Sequence, residues 1–128
     1  MEGATKILGR FDEIDISQKI GILFILNKIY LDKDLKVDGF AKKIGIPTRF
    51  VAPVFKTLYG HRFMELANMY RIEYAKAKIE AKVLVEGSLE SLANMSGFSS
   101  KSNFTSVFKK EAGKYPNQYS RSCLSAVK

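Results

Sequence analysis

The chain has 128 residues, 46% of them hydrophobic and 27% charged, and a formal net charge of +8. That is enough apolar content for one ordinary core, or two small ones sharing an element, without metal or disulfide support. Cys123 is the only cysteine, which excludes an internal disulfide and a cysteine-ligated zinc site and fits a reducing cytoplasm; no apolar run nears the roughly 20 residues of a membrane span, and no signal peptide is recognisable.

Helices are expected almost throughout, with no strand of any length. Ser17 is placed to cap a first helix running to about Leu31, in which Ile20, Leu23, Phe24, Asn27 and Tyr30 recur on one face. A short helix follows from Val37 or Asp38 to Lys43, then a turn at Gly45, then a helix from about Thr48 to Tyr59 that stops at Gly60. A long connecting helix is expected from about Arg62 to Val85, with Phe63, Leu66, Met69 or Tyr70, Ala77 and Leu84 inward and Gly87 closing it. Ser88 caps Leu89 to Met95, Gly97 turns the chain, and Ser99 or Ser100 caps a helix to about Ala112 that Gly113 ends. Pro116 opens a last short helix through about Ser122.

Two of these segments repeat. Ala41, Gly45, Val54, Phe55, Lys56 and Gly60 correspond to Ala93, Gly97, Val107, Phe108, Lys109 and Gly113, with one extra residue in the second copy. In the first, Ala41, Gly45 and Val51 supply the small contact residue, turn glycine and branched wedge that two steeply crossing helices require; in the second, the wedge shifts to Phe104. Both copies read as helix-turn-helix units. Charge segregates with them: residues 36–62 and 97–128 carry +5 each, while 1–35 and 63–96 carry −1 each. Clustered cations of this kind point to a polyanionic partner.

Gly97-Phe98-Ser99, Asn103-Phe104, Phe108-Lys109-Lys110, Gly113 and Pro116-Asn117-Gln118-Tyr119, with Tyr70-Arg71-Ile72-Glu73-Tyr74-Ala75, resemble the DNA-binding domain of AraC/XylS-type bacterial transcription regulators over roughly Leu35 to Arg121. The resemblance implies an all-α, homeodomain-like fold of about seven helices. Its parts would be an N-terminal extension or linker (1–16), a first helix-turn-helix lobe (17–60), a linker helix (61–87) and a second lobe (88–122). It further implies a monomer setting two recognition helices into successive major-groove segments of double-stranded DNA, ~34 Å apart. The family's base-reading positions fall on Arg49, Ala52 and Pro53 in the first lobe and on Lys101, Ser102, Thr105 and Ser106 in the second. Lys56, Lys109, Lys110 and Arg121 are the candidate phosphate contacts.

Arg49 suits a bidentate contact to guanine, whereas Ala52 offers a thymine methyl contact at most, and Pro53 is expected to make the helix start late or bend. Arg71 reads as a structural arginine bonding helix carbonyls, and Phe55, Phe104 and Phe108 as core. His61, the only histidine, reads as a surface or phosphate-near residue rather than a catalyst. No catalytic motif, metal site or cofactor motif is recognisable, so enzymatic function is not expected. Two functions remain: a sequence-specific regulator in the cytoplasm at the nucleoid, with RNA polymerase and an attached effector or sensor domain as further partners, or an architectural DNA-binding protein of a mobile element with weak base readout.

Overall fold

A computed structural model describes residues 13–81 and 87–127. Among them are seven α-helices: α1 Glu13–Ile20, α2 Val37–Ile44, α3 Thr48–Tyr59, α4 Phe63–Glu80, α5 Leu89–Met95, α6 Lys101–Ala112 and α7 Pro116–Val127. No strand occurs among the described residues, and no helix among them is long and apolar enough to cross a membrane. The chain divides into two compact units. Described residues up to Ile29 join Asp34–Ala67 in the first; Tyr30–Lys33 join those from Asn68 onward in the second. The boundary falls inside α4.

The first unit is built on phenylalanine. Phe24, Phe40, Phe55 and Phe63 are nearly or wholly buried, and their ring centroids lie 5.0 to 6.4 Å apart, within the range of edge-to-face and offset contacts. Ile16, Ile20, Val51 and Val54 are among the other buried apolar residues of this unit. The expected first helix is corrected here. Ser17 lies inside α1 rather than capping it, and α1 passes into a π-helical segment, Gly21–Leu26, closed by the Asn27 N–H donating to the Ile22 carbonyl at 3.0 Å. The wider turn sets every following side chain back around the axis by roughly 100° relative to an α-helix. Asn27, expected inward, is therefore exposed, as are Ile22, Ile25 and Leu26. A short 3-10 turn, Ile29–Leu31, follows in place of continued α-helix.

The second unit buries Ile72, Ala75 and Ile79 of α4 against Leu92, Ala93, Phe98, Phe104 and Phe108. Phe98, Phe104, Phe108 and Tyr119 form a chain of rings with successive centroids 5.3, 5.7 and 5.7 Å apart. The core expectation for Phe55, Phe104 and Phe108 holds, since all three are 0% exposed. The inner face assigned to α4 is only partly right: Phe63 and Leu66 are buried, Ala77 is exposed, and Leu84 and Val85 lie outside the described residues.

Helix starts and stops follow local chemistry. Ser88 and Ser100 accept hydrogen bonds from the Ser91 and Asn103 N–H groups, at 3.0 and 3.1 Å, satisfying otherwise orphan donors of the first turn. Glu65 and Gln118 reach back to the N–H groups of Arg62 and Tyr115, at 2.7 and 2.9 Å, as capping-box partners do. That bond holds the Glu65 carboxyl below its ordinary pKa. Gly60 and Gly113 end α3 and α6 in the left-handed region. Ser100→Ala is expected to lower stability by about 1 kcal/mol. Urea denaturation checks this, and an unchanged midpoint would show that the cap contributes nothing.

Candidate nucleic-acid interface

The second helices of the two helix-turn-helix units correspond position by position. Each second helix has 12 residues and ends at a positive-φ glycine, and the Val51 wedge of α3 and the Phe104 wedge of α6 are both 0% exposed. The extra residue of the second copy lies in the turn, between Gly97 and Lys101, so the helices themselves stay in register. Arg49, Ala52, Pro53 and Lys56 on α3 thus occupy the places of Ser102, Thr105, Ser106 and Lys109 on α6. Spacings of three, four and seven residues put each set on one stripe, opposite the buried aromatic face.

On α3, Arg49, Pro53 and Lys56 are exposed and Ala52 is half-buried. The Arg49 guanidinium lies over the Phe50 ring, 4.8 Å from its centroid. The expected late start caused by Pro53 does not occur: α3 begins at Thr48, where the Phe50 and Val51 N–H groups both donate to the Pro47 carbonyl. Pro53 removes only the bond that the Arg49 carbonyl would accept four residues on, and the buried Val51, Val54 and Phe55 hold the helix across that gap. The Thr48 hydroxyl donates to Asp38 Oδ1 at 2.8 Å, tying α3 to α2.

On α6, Lys101, Ser102 and Ser106 are exposed. Thr105 is half-buried and its hydroxyl donates to the Lys101 carbonyl at 2.8 Å, leaving its lone pairs as acceptors. Lys109 is exposed but engaged: its ammonium donates to the Gly113 carbonyl at 3.1 Å and lies 5.2 Å from the Tyr115 ring centroid. Two ammonium hydrogens remain for another acceptor. Lys110 on α6 and Arg121 on α7 are exposed.

Arg71 is 4% exposed and bonds carbonyls, as expected: that of Tyr30 within the 3-10 turn Ile29–Leu31 and that of Asp32 just after it. Its Nε donates to the Tyr30 carbonyl, Nη2 to the Asp32 carbonyl at 2.9 Å, and Nη1 to Asn68 Oδ1 at 3.0 Å. Burial lowers its pKa from the ordinary arginine value, an effect that Asp32 partly opposes. The guanidinium lies 5.5 Å from the centroid of Phe98, in the turn that delivers α6. At the other end of this unit, the Tyr119 hydroxyl donates to Glu80 Oε2 at 2.7 Å, and that bond raises the phenol's pKa well above its usual value.

One cation escaped the sequence reading. Arg62 is exposed and, with Lys56, borders a groove of about 680 Å³ whose apolar lining includes Val37, Ala52, Pro53 and Phe63. Its signal was present, since Arg62 is the last cation of the basic block 36–62. His61 is partly exposed, with Nδ1 4.0 Å from Glu65. No group of three metal-ligating side chains occurs among the described residues.

Comparison with solved structures gives the same fold at low sequence identity. The C-terminal domain of AraT, a response regulator from Geobacillus stearothermophilus, aligns with a TM-score of 0.67 and 24% identity over 74% of this chain and 76% of that one. The C-terminal domain of the two-component response regulator yesN from Fusobacterium nucleatum aligns at 0.66 and 24%, over 75% and 90%. An AraC-type DNA-binding-domain transcriptional regulator from Chromobacterium violaceum aligns at 0.63 and 20%, over 70% and 77%. No protein of curated function matches the chain in sequence. Residues 40–122 match the family model of a helix-turn-helix domain of the AraC type. With the second helices of both units, α3 and α6, and their glycine stops falling inside that match, the chain belongs to the AraC-type helix-turn-helix family of DNA-binding domains.

Proposed function

We propose that the chain is a sequence-specific transcription regulator that sets α3 and α6 into successive major-groove segments of double-stranded DNA. The equivalence of the two exposed stripes, each on a helix with a buried opposite face and each within a +5 block, carries this reading. Arg49, Ala52, Pro53, Lys101, Ser102, Thr105 and Ser106 face the bases, and Lys56, Lys109, Lys110 and Arg121 face phosphates. One chain occupies one bipartite site, acting by binding rather than catalysis, in the bacterial cytoplasm at the nucleoid. RNA polymerase and an effector or sensor domain are its further partners.

Selection of bound sequences from random duplex DNA tests this directly. A motif with two elements about one helical turn apart is expected. Light scattering of the complex should give one chain per duplex, and an obligate two-to-one stoichiometry would contradict the reading. An architectural role in a mobile element is the second reading, favoured by the apolar side chains of Ala52 and Pro53, and it predicts no motif.

Arg49→Ala is expected to cost about 1 to 3 kcal/mol of binding and to relax preference at one base position. If every position relaxed equally, Arg49 would be a phosphate contact instead. The remaining discrimination is assigned to α6, so changing Thr105 and Ser106 together to Ala should lower the ratio of cognate to scrambled affinity at matched salt.

A further inference from the structure

The outward stripes of α3 and α6 are equivalent in place but differ in chemistry at their centres. Where α6 presents the hydroxyls of Thr105 and Ser106, α3 presents the methyl of Ala52 and the ring of Pro53, neither of which donates or accepts through its side chain. The apolar surface does not stop there. It continues from Ala52 and Pro53 into the groove with Val37 and Phe63, and the exposed cations Lys56 and Arg62 stand beside it.

An adenine, guanine or cytosine edge set against this surface would lose its water and gain no hydrogen bond. Thymine is the one DNA base that shows the major groove an apolar group, its 5-methyl. An acidic protein segment would also meet the cations. The groove, however, shares Ala52, Pro53 and Lys56 with the same helix face that carries Arg49, which favours duplex DNA. Resting on the major-groove reading above, we infer that the first unit selects thymine by its 5-methyl group, seated against Ala52 and Pro53 between phosphates held by Lys56 and Arg62. Arg49, one turn earlier, would set a guanine beside it, so the first element of the site is expected to pair guanine with a nearby thymine.

The test compares a duplex containing the selected motif, or a mixed-sequence duplex if no motif emerges, with the same duplex in which deoxyuridine replaces every thymine. Base pairing is kept and only methyl groups are lost. The unaltered chain should bind the deoxyuridine duplex about four-fold more weakly for each buried methyl, the equivalent of ~0.8 kcal/mol. Single replacements should place the effect in the element where Arg49→Ala relaxes preference. Pro53→Ser restores a helix N–H, so folding is not at risk, and it should shrink the difference between the two duplexes. Equal binding of both duplexes by the unaltered chain overturns the inference while leaving DNA binding intact, and would leave the groove to a protein partner. A methyl effect undiminished in Pro53→Ser also overturns it, because the methyl would then be sensed elsewhere. Failure to bind any duplex removes the major-groove reading itself.

Discussion

Gly97→Ala should be the most damaging of the alanine substitutions at Gly45, Gly60, Gly97 and Gly113, lowering stability by about 3 kcal/mol or more. Gly97 has φ +91°, and a Cβ there would lie 2.7 Å from the Tyr30 carbonyl oxygen and 3.0 Å from both Arg71 Nε and Leu31 Cα. Two of those three atoms are backbone and cannot swing aside. The left-handed conformation alone costs an L-residue roughly 1–2 kcal/mol, and displacing the Arg71 Nε–Tyr30 bond, a charge-assisted one, adds about 1.5–3 kcal/mol. Against a typical domain stability of about 5–15 kcal/mol, that is a large fraction. Gly45, Gly60 and Gly113 also have positive φ, but a Cβ at any of them meets nothing within 4 Å. Alanine at those sites should cost only the conformational part, about 1–2 kcal/mol. Guanidinium denaturation of the four single variants gives the comparison. A Gly97→Ala midpoint no lower than that of Gly45→Ala would mean that the Tyr30–Lys33 segment yields easily and that the Arg71 contacts do not pin it.

The same contrast shows which parts of the molecule could be read from the chain. Gly45, Gly60, Gly97 and Gly113 were recognisable as turn and stop positions because the repeat fixed their spacing from apolar wedges, and all four have positive φ. That Gly97 is also a close-packing position was not legible, because its neighbours Tyr30 and Leu31 are distant in sequence. The inner face of α4 was misjudged for a related reason. Phe63, Leu66 and Ala67 serve the first core and Ile72, Ala75 and Ile79 the second, so no single 3.6-residue stripe runs its length. The π-helical segment Gly21–Leu26 left no periodic trace either, since its six residues are nearly all apolar and fit any winding. In the candidate site, residue types and helix positions were legible from the resemblance. The tie of Lys109 to the Gly113 carbonyl was not, because it depends on a rotamer.

Affinity for duplex DNA should fall steeply with salt, by about 10²- to 10⁴-fold between roughly 50 and 200 mM, if about four to seven phosphates are neutralised at a slope near −0.9 for each. The distribution of charge makes this more than a statement about a basic protein. Blocks 36–62 and 97–128 hold the whole excess, +5 each, whereas 1–35 and 63–96 are each −1. Cations that touch phosphate release counterions, and those that merely solvate the surface do not. Removing a phosphate-contacting cation from either basic block should therefore reduce the slope by roughly one, and do so on all sequences alike. Lys56→Ala tests the first block, and Lys110→Ala and Arg121→Ala test the second. Lys109→Ala is the informative exception. Its ammonium already serves the Gly113 carbonyl just past α6 and the Tyr115 ring. If that is its whole role, the variant loses thermal stability while the slope stays put; if it also reaches a phosphate, both fall. Fluorescence anisotropy across a salt series, paired with thermal unfolding of each variant, separates the two. A slope near zero for the unaltered chain would end the phosphate reading for both units at once, since neither the stripe on α3 nor that on α6 then meets the backbone of a duplex.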